Sequence, residues 1–370
     1  MKKTLNSPVA GEILNALNDG LYVTDTDRRI LYWNRSAERI TGWLAQDVVG
    51  HCCMDNILIH EDKDGRRLCT TEFCPLYRCM ITDSMSSSPV IVFAQTKAGG
   101  RVPLAVSVAP LHDADRKVIG AVETFQDYTE SYANLERARR IQTLSLEHDL
   151  PQDSRVGFSS VYLPHDMIGG DYFAMRQLDA DHYGFFLADV MGHGVAAALH
   201  TMHLSSLWSR YCTTLVHPKK FAQILNRNLC GIVKGESFAT AVCGVLSAST
   251  RKVRIASAGG PPLVMVHADG TADQLTAPGL PFGMIAGARY DEKEFRCKSG
   301  DRLLMFTDGA IEIQDPDGQM LGTDGLLGIL TSLGYPEAEI GIEPLEEALL
   351  DFSREIRLDD DLTLLEVRFA

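Results

Sequence analysis

From about residue 153 onward, the sequence contains eight short apolar segments that have the length and residue types of β-strands. They are GFSSVYLP, DYFAMRQL, YGFFLADV, FATAVCGVLSA, KVRIASAGG, PLVMVHA, RLLMFTDG and DLTLLEVRF. Three helical segments are grouped among them: VAAALHTMHLSSLWSRY, PKKFAQILNRNLCGIV and PLEEALLDFSREIR. Because the strands come in runs, with turn sequences such as HADG and DPDG, the pattern predicts an α+β fold with antiparallel sheets rather than a doubly wound parallel sheet.

The first third of the chain carries a second set of strand signals. GLYVTD and RRILYWN are joined by a short turn, and PVIVFAQT, VPLAVSVAPL and VIGAVETFQDYT are separated by the turn sequences KAGGR and HDADRK. The helical segment RSAERITGW follows the first pair. At 370 residues the chain is longer than most single domains, so we expect two domains. The first is predicted to be an antiparallel sheet with helices on one side.

These N-terminal segments resemble a known sensor family. NDGLYVTDTDRRILYWNRSAERITGWLAQDVVG is similar to the opening of a PAS sensor domain, and GAVETFQDYTE resembles the PAS ending that leads into an output helix. The resemblance covers residues 9–130. Within it, Asn34 of the YWN motif is a candidate contact for a bound ligand, although a role in stabilising the local turn is favoured.

A helix-forming stretch without glycine, ESYANLERARRIQTLSLEHDLPQ, follows the PAS-like region and stops at a proline. It predicts a connector helix over residues 131–152. Tyr132 and Leu135 lie at helical spacing, but the apolar stripe then drifts through Ile141 and Leu144. An exposed connector and a short dimeric coiled coil both fit this pattern.

Five of the nine cysteines lie in one insert of the PAS-like region, HCCMDNILIHEDKDGRRLCTTEFCPLYRCM. Cys69, Cys74 and Cys79 are spaced Cys-x4-Cys-x4-Cys, which is not a standard zinc-finger or ferredoxin spacing. Three interpretations stay open: buried thiols without a further role, redox-responsive thiols, and ligands of a metal or an iron–sulfur cluster. The three residues are therefore candidate cofactor contacts.

The overall composition restricts the partners and the location. The net charge is −14 and the pI is about 5.2, which argues against nucleic acid as the main partner, because phosphate backbones select basic surfaces. No window approaches the ~20 apolar residues that span a bilayer. The start, MKKTLNSPVAGEILNAL, lacks the long apolar core of a signal peptide. We therefore expect a cytoplasmic protein that binds neither nucleic acid nor membrane.

Four aspartates lie at the ends of strand candidates in the C-terminal part. Asp189 and Asp308 close an apolar strand, whereas Asp171 and Asp360 open one. A single aspartate at a strand end is common in turns. Four from distant parts of the chain would repel one another strongly in one cleft unless cations neutralised them. Hard oxygen ligands with room for water suit Mg²⁺ or Mn²⁺, so the pattern predicts a divalent metal site.

The segments that carry these aspartates also resemble a known family. IGGDYF, ADVMGHGVAAAL, FATAVCGVL, ASAGGPPLVM, GLPFGM, LLMFTDGAIE and DDLTLL occur in the order typical of the SpoIIE-type members of the PPM metal-dependent serine/threonine phosphatases. The resemblance implies a C-terminal domain over residues 153–370. It also implies a β-sandwich of two antiparallel sheets flanked by helices, with a centre of two Mn²⁺ or Mg²⁺ ions at one edge.

The resemblance further implies roles for individual residues. Asp189 would bridge the two metals, and the Val190 carbonyl would complete one site. Asp308 and Asp360 would ligate the second metal, and Asp171 would hold metal-bound water or the first ion.

The implied reaction is hydrolysis of phosphoserine or phosphothreonine by a water that the two metals activate. Asp189 and Asp308 would then be catalytic as ligands. His193 is the side-chain candidate for protonating the leaving seryl oxygen, although a solvated position at a helix N-terminus is favoured for it. Asp361 is a weaker ligand candidate. By the same resemblance, the substrate is a phosphorylated STAS-domain antagonist of an anti-sigma factor, and the enzyme is a signal-regulated homodimer.

Two other functions compete with this one. GGDYF also resembles the GGDEF motif of diguanylate cyclases, but Tyr172 stands where a carboxylate is expected, and a PAS-regulated nucleotide cyclase leaves ADVMGHG and DDLTLL unexplained. The second alternative is a catalytically inactive phosphatase fold that acts as a partner-binding module. The full set of carboxylates argues against it.

Overall fold

The computed structural model of the protein describes residues 8–69, 73–86, 89–146, 149–192, 194–233, 237–337, 341–353 and 360–370. The chain forms two compact units, residues 1–135 and residues 136–370. Among the helices in the described ranges, none combines the length and the apolar composition that crossing a bilayer requires.

The first unit is built on one antiparallel sheet of five strands in the order β2-β1-β5-β4-β3. The strands are β1 (Gly20–Asp25), β2 (Ile30–Trp33), β3 (Val90–Gln95), β4 (Arg101–His112) and β5 (Val118–Asp127). The helices are α1 (Pro8–Asn15), α2 (Arg35–Thr41), α3 (Ala45–Val48) and α4 (Pro75–Thr82). The rings of Tyr22, Trp33 and Phe125 pack together in its core, with centroids 5.5–6.4 Å apart. The antiparallel sheet predicted from the alternating apolar runs is confirmed.

Asn34 stabilises the turn between β2 and α2. Its Oδ1 accepts hydrogen bonds from the backbone N–H groups of Leu21 at 2.9 Å and Ala37 at 2.8 Å. Its Nδ2 donates to the carbonyls of Leu14 and Asp19 at 3.0 and 2.9 Å. The side chain is fully buried, and both of its polar atoms bond within the unit. This is the turn-stabilising role favoured from the sequence.

Helix α5 (Thr129–Ser145) follows β5; it begins two residues before the predicted connector of residues 131–152 and overlaps most of it. It ends earlier than the glycine-free sequence predicts. The Ser145 hydroxyl bonds back to the carbonyl of Gln142 at 2.7 Å, which competes with continuation of the helix. The Ser145 carbonyl in turn accepts a hydrogen bond from the hydroxyl of Ser205 at 2.9 Å, so the helix end is satisfied by tertiary contacts.

The second unit contains two five-stranded antiparallel sheets, in the orders β13-β10-β9-β8-β7 and β12-β11-β14-β15-β6. The strands are β6 (Val156–Leu163), β7 (Asp171–Gln177), β8 (His182–Val190), β9 (Ala239–Ser247), β10 (Lys252–Ala258), β11 (Leu263–Val266), β12 (Ala272–Leu275), β13 (Lys293–Arg296), β14 (Arg302–Phe306) and β15 (Leu362–Phe369). The helices are α6 (Val195–Tyr211), α7 (Pro218–Val233), α8 (Gly322–Ser332) and α9 (Glu343–Ser353).

Successive side chains of a strand point to opposite faces of its sheet, which explains how the two sheets and the helices pack in layers. On β8, Phe185 and Leu187 join the core between the two sheets, whereas Phe186 faces the opposite side and packs against Trp208 of α6 and Phe221 of α7. On the far side, side chains of the second sheet pack against α8 and α9. The predicted fold class, an α+β chain with a β-sandwich of two antiparallel sheets flanked by helices, is confirmed.

Three elements of the second unit are absent from the sequence prediction. β12 and β13 are exposed edge strands, so they lack the alternating apolar residues that identify a strand. Helix α8, with the sequence GTDGLLGILTS, carries three glycines, which lower its helix propensity. The predicted helix PLEEALLDFSREIR corresponds to α9, and the last part of that prediction lies in residues 354–359, outside the described residues.

Candidate metal centre

The predicted aspartates lie at neighbouring strand ends. Asp171 opens β7 and Asp189 stands near the end of β8, and the two residues are direct partners in the antiparallel register. Asp308 follows β14, and Asp360 precedes β15, which is hydrogen-bonded to β14. Each sheet of the sandwich therefore contributes a pair of carboxylates.

Two threonines join the pairs from the two sheets. The hydroxyls of Thr307 and Thr363 both donate to Oδ2 of Asp171, at 2.8 and 2.6 Å. Thr307 also accepts the backbone N–H of Thr363 at 3.0 Å. The other carboxylate oxygen of Asp171, Oδ1, is buried and has no hydrogen-bond partner among the described residues. The threonines thus fix the orientation of Asp171 and leave Oδ1 for a ligand or water.

The carboxylates of the site repel one another. Burial, followed by the negative charges of Asp308, Asp360 and Asp361, raises the pKa of Asp189 to about 8. Burial and the charges of Asp189 and Asp361 likewise raise the pKa of Asp171 well above its ordinary value. The pKa of Asp308 is raised by burial and then by Asp360. A bound cation would relieve this repulsion.

The backbone carbonyls of Val190 and Gly192 lie close to Gly170, the residue before Asp171. A Cβ added to Gly170 would lie 2.9 Å from the carbonyl oxygens of both Val190 and Gly192, so only glycine permits this approach. Gly192 and Gly194 have φ values of 83° and 80°, which lie in the left-handed region and allow the chain to turn into α6. Both glycines therefore have the backbone conformation that this turn requires.

Asp361 holds the loop that precedes β7. Its Oδ1 accepts the backbone N–H of His165 at 2.6 Å, and its Oδ2 accepts the backbone N–H of Gly170 in a short hydrogen bond. Its own N–H donates to Oδ1 of Asp360 at 2.8 Å. Burial raises the pKa of Asp361, and the two backbone hydrogen bonds oppose that shift. Asp361 therefore positions the residues beside Asp171.

The donor set fits a divalent cation only with help from the backbone and from water. Within the described ranges, no group of three or more Asp, Glu, His or Cys side chains is arranged to hold a metal ion by itself. Mg²⁺ and related hard cations accept carbonyl oxygens and keep several waters, so three converging side chains are not required. The unpartnered Oδ1 of Asp171, the raised pKa of Asp189 and the Val190 carbonyl all suit such an ion.

Two known families match the chain. The family described as Stage II sporulation protein E (SpoIIE) matches residues 179–370, which is more than half of the chain. The chain belongs to the SpoIIE family. A PAS fold matches residues 14–133, so a PAS domain precedes the SpoIIE-type domain, as the sequence motifs predict.

Two relatives of the chain are named phosphoserine phosphatases. The chain is 31% identical over 182 residues to RsbP of Bacillus subtilis, named a phosphoserine phosphatase, covering 48% of this chain and 45% of RsbP. It is 25% identical over 240 residues to RsbU of the same organism, also named a phosphoserine phosphatase, covering 65% of this chain and 71% of RsbU. The chain thus spans less than half of the length of RsbP.

Among solved structures, the PP2C domain of SiaA from Pseudomonas aeruginosa superposes with a TM-score of 0.57 at 20% identity. The match covers 65% of this chain and 98% of that domain. At this identity the likeness establishes the fold of the SpoIIE-type domain and nothing further.

One further acidic residue affects the carboxylates of the site. Glu312, which the sequence motifs do not single out, is exposed, and its charge raises the pKa of both Asp189 and Asp308. His193, the candidate proton donor, lies outside the described residues, and its role stays a prediction.

A glutamine of α5 reaches the loop that carries the site. In the part of α5 that belongs to the second unit, Gln142 is buried, and its Nε2 donates to the carbonyl of Gly169 at 2.6 Å and to the hydroxyl of Thr201 at 2.9 Å. Its Oε1 accepts the N–H of Gly169 at 3.1 Å. One side chain therefore holds both polar groups of Gly169 and links them to α6, which begins directly after the Gly192–Gly194 turn.

Proposed function

We propose that the protein is a signal-regulated protein serine/threonine phosphatase that depends on two Mn²⁺ or Mg²⁺ ions. The observation that carries the proposal is the group of aspartates from both sheets at one edge of the sandwich, with Asp189 opposite Asp171. The names of RsbP and RsbU support the same activity. We assign Asp171, Asp189 and Asp308 as ligands, and Asp360 and the Val190 carbonyl as further ligands.

The ions would supply a water of lowered pKa and hold the phosphoryl oxygens for in-line attack. The chain's own residues orient this centre. Thr307 and Thr363 fix the rotamer of Asp171 through its Oδ2, and Asp361 fixes the backbone at Gly170. Such outer hydrogen bonds keep ligating carboxylates in position. His193 is proposed to protonate the leaving seryl oxygen.

The substrate that we propose is a phosphorylated STAS-domain antagonist of an anti-sigma factor. Its support is the membership of the SpoIIE family and the similarity to RsbP and RsbU. The cyclase alternative has no support in this family or in this fold. The inactive-module alternative differs from our proposal only in catalysis, so an activity measurement separates the two.

Incubation of the full chain with a serine-phosphorylated STAS protein and Mn²⁺ is expected to release inorganic phosphate, and chelation of the metal is expected to stop the release. p-Nitrophenyl phosphate provides a substrate without a protein surface. Hydrolysis of p-nitrophenyl phosphate alone would support the phosphatase and contradict the STAS substrate. If neither substrate is hydrolysed with Mn²⁺ or Mg²⁺, the protein is a partner-binding module.

We further propose a homodimer that forms through α5, in a protein that is cytoplasmic and binds neither nucleic acid nor membrane. Ile141 and Leu144, three residues apart on one face of the helix, are 53% and 86% exposed, so they form an adjacent apolar pair that the same helix of a second copy could cover. Tyr132, which the sequence also suggests for the pairing surface, packs edge-on against Phe93 at 5.1 Å. The proposed pairing surface is therefore the C-terminal half of α5.

Leu144→Glu is expected to convert the dimer into a monomer, since it places a charge on the proposed pairing surface in place of its most exposed apolar side chain. Sedimentation of the full chain measures the change. Thr143→Glu is the matched control, because Thr143 is an exposed neighbour on the same helix and should keep the dimer. A wild-type protein that sediments as a monomer at micromolar concentration would rule out this dimer.

A further inference from the structure

The proposed phosphatase chemistry does not use two features of the chain. One is the set of candidate cofactor cysteines, Cys69, Cys74 and Cys79, which are free, buried thiols of the PAS domain. Within the described ranges no group of three His, Cys, Asp or Glu side chains is arranged to hold a metal, so the role of these thiols stays a prediction. The other feature is an exposed apolar surface beside the proposed metal centre.

The exposed apolar side chains of the SpoIIE-type domain are concentrated at the end of the sheet that carries Asp189. In the described part of residues 153–370, eight large apolar side chains are exposed, and six of them belong to the turn after β8, the start of α6 and the loop at 280–285. These six, which we call the apolar rim, are 45–62% exposed, and they are Met191, Val195, Leu199, Leu280, Met284 and Ile285. A concentration of exposed apolar side chains is typical of an interaction surface.

Backbone hydrogen bonds place the segments of the apolar rim side by side. The N–H of Met191 donates to the carbonyl of Phe238 at 3.0 Å. The next residue, Ala239, exchanges two backbone hydrogen bonds with Phe282, at 2.8 and 2.9 Å. Residues of these segments, together with one residue each from α6 and α7, line a small apolar cleft of about 10 Å³. The turn after β8 and the loop at 280–285 therefore flank the same stretch of chain.

The loop at 280–285 is held in place from α7. The side chain of Asn226 is buried, donates to the carbonyl of Ile285 at 2.8 Å and accepts the N–H of Gly283 at 3.0 Å. Between these two bonds and the Phe282 ring, which is also buried, the loop is fixed at three points. Its exposed side chains therefore stand on an ordered backbone, so little conformational freedom is lost when a partner covers them.

The sequences that form the apolar rim contain no acidic residue, lysine or arginine. This holds for residues 190–199, VMGHGVAAAL, and for residues 275–288, LTAPGLPFGMIAGA. Exposed positions that face only water are commonly occupied by charged side chains. Recognition at this surface therefore depends on apolar contact rather than on ion pairs. The two methionines suit such contact, because their flexible thioether side chains adapt to the shape of a partner.

The position of the apolar rim relative to the proposed centre indicates what covers it. Met191 is two residues after Asp189, and Val195 begins the helix that follows. The side chain of phosphoserine is short, so a phosphoserine that reaches this centre brings its own backbone and the neighbouring surface of its protein against the residues beside Asp189. A second copy of the chain on the same residues would cover the approach to the centre and exclude that substrate.

We propose that the apolar rim is the docking surface for a folded, serine-phosphorylated protein substrate that has exposed apolar side chains beside its phosphoserine. The inference rests on the proposed phosphatase function and adds the surface that selects the substrate. Contacts remote from the reacting phosphate increase kcat/KM for a protein substrate without a change in the centre itself. A folded phosphoprotein is then a better substrate than a peptide with the same sequence around the phosphoserine, because the peptide must be ordered on binding.

Kinetics of the full chain with three substrates test the proposal: a serine-phosphorylated STAS protein, a phosphopeptide that spans its phosphoserine, and p-nitrophenyl phosphate. With saturating Mn²⁺, the wild-type kcat/KM for the folded phosphoprotein is expected to exceed that for the peptide by about tenfold or more. Leu199→Glu and Met284→Glu should each lower kcat/KM for the folded phosphoprotein by about tenfold or more, mainly through KM, because each places a charge against an apolar partner. Their kcat/KM for p-nitrophenyl phosphate should stay within about twofold of wild type, since this substrate has no protein surface.

Two control variants separate the loss of apolar contact from other effects. Leu199→Met keeps an apolar side chain and should behave like the wild type with all three substrates. Ser209→Glu introduces the same charge at an exposed position of α6, about 15 Å further along the helix, and should also behave like the wild type. If a glutamate variant does not fold, the wild-type comparison of folded phosphoprotein with peptide still decides.

Several results would overturn the docking surface and leave the phosphatase intact. They are wild-type kinetics of Leu199→Glu and Met284→Glu with the folded phosphoprotein, and a peptide that is hydrolysed as well as the folded protein. An equal loss with p-nitrophenyl phosphate would mean that these residues support the centre itself, and a wild-type dimer that Leu199→Glu converts into a monomer would assign the surface to a second copy. A wild type that hydrolyses p-nitrophenyl phosphate but not the phosphoprotein would overturn this inference together with the STAS substrate. Only a wild type that hydrolyses none of the three substrates would overturn the proposed function, so the two failures are distinguishable.

Discussion

Asp189→Asn and Asp308→Asn are each expected to lower Mn²⁺-dependent phosphate release by about a hundredfold or more. Each change removes a charged ligand from a centre that would supply several kcal/mol of transition-state stabilisation. The decrease should appear in kcat and persist at saturating Mn²⁺. Asp351→Asn is the matched control, because Asp351 is exposed on α9 and should leave the activity unchanged. Near wild-type turnover in either site variant would make the ligand assignment wrong.

The metal-free stability of Asp189→Asn tests whether lost activity comes from lost structure. The folded-state pKa of Asp189 is raised from 3.8 to about 8. The unfolded chain therefore releases this proton at a lower pH than the folded protein, and the aspartate lowers stability progressively as the pH rises from about 4 to about 8.

Asparagine removes this effect, so the metal-free variant should melt at a higher temperature than the metal-free wild type at pH 8 and at a similar temperature near pH 4. Each gain of about 1 kcal/mol raises Tm by roughly 2–4 °C in a domain of this size. Mn²⁺ should raise Tm strongly in the wild type and weakly in the variant. A metal-free variant that is less stable than wild type at pH 8 would contradict the repulsion argument.

Much of the fold could be predicted from the sequence because it depends on local alternation. The apolar runs of β8 and β14 have buried side chains on both faces and are followed closely by Asp189 and Asp308. The sequence alone therefore indicates both the strands and the carboxylates at their ends. The predicted grouping of the distant aspartates required in addition that β7 pair with β8, that β14 pair with β15, and that the two sheets pack together. The edge strands β12 and β13 could not be predicted in this way, because their side chains are exposed and their sequences lack the alternation of apolar and polar residues.

The supporting residues of the site could not be predicted in this way. Thr307 and Thr363 look like ordinary β-formers, and only the pairing of β14 with β15 brings both hydroxyls to Asp171. Asp361 follows Asp360 directly, so the sequence offers little to distinguish the two, whereas the structure gives Asp361 the backbone contacts to the loop at Gly170. In each case the role of the residue follows from a tertiary contact, which the residue type alone does not reveal.

Gln142 is the clearest example, since one glutamine in the polar sequence RARRIQTLS has the appearance of an exposed helix residue. Its burial arises because it bonds both polar groups of the Gly169 peptide, two residues before Asp171, and the hydroxyl of Thr201 on α6. The connector helix therefore contacts the backbone on one side of the proposed centre and the helix on the other.

Gln142→Ala is accordingly expected to weaken the response to metal by about 10–100-fold, the usual effect of removing a group that orients ligands. The change leaves the buried N–H and carbonyl of Gly169 without their partner, which destabilises the observed loop conformation by about 1–3 kcal/mol for each group. The measurement is phosphate release as a function of Mn²⁺ concentration. The half-saturating concentration should rise, and much of the activity should return at high Mn²⁺, unlike the behaviour of Asp189→Asn.

Two companion variants distinguish this positioning role from general loss of structure. Gln142→Glu keeps the shape but cannot donate to the Gly169 carbonyl, so it should resemble Gln142→Ala, whereas Thr143→Ala alters an exposed neighbour and should resemble the wild type. Thr201→Val removes the hydroxyl that accepts from Gln142 and donates to the Ala198 carbonyl, and it should give a smaller shift because both Gly169 bonds remain. If Gln142→Ala keeps the wild-type Mn²⁺ dependence, α5 does not act on the centre through Gly169, and any signal from the PAS domain must reach the centre by another contact.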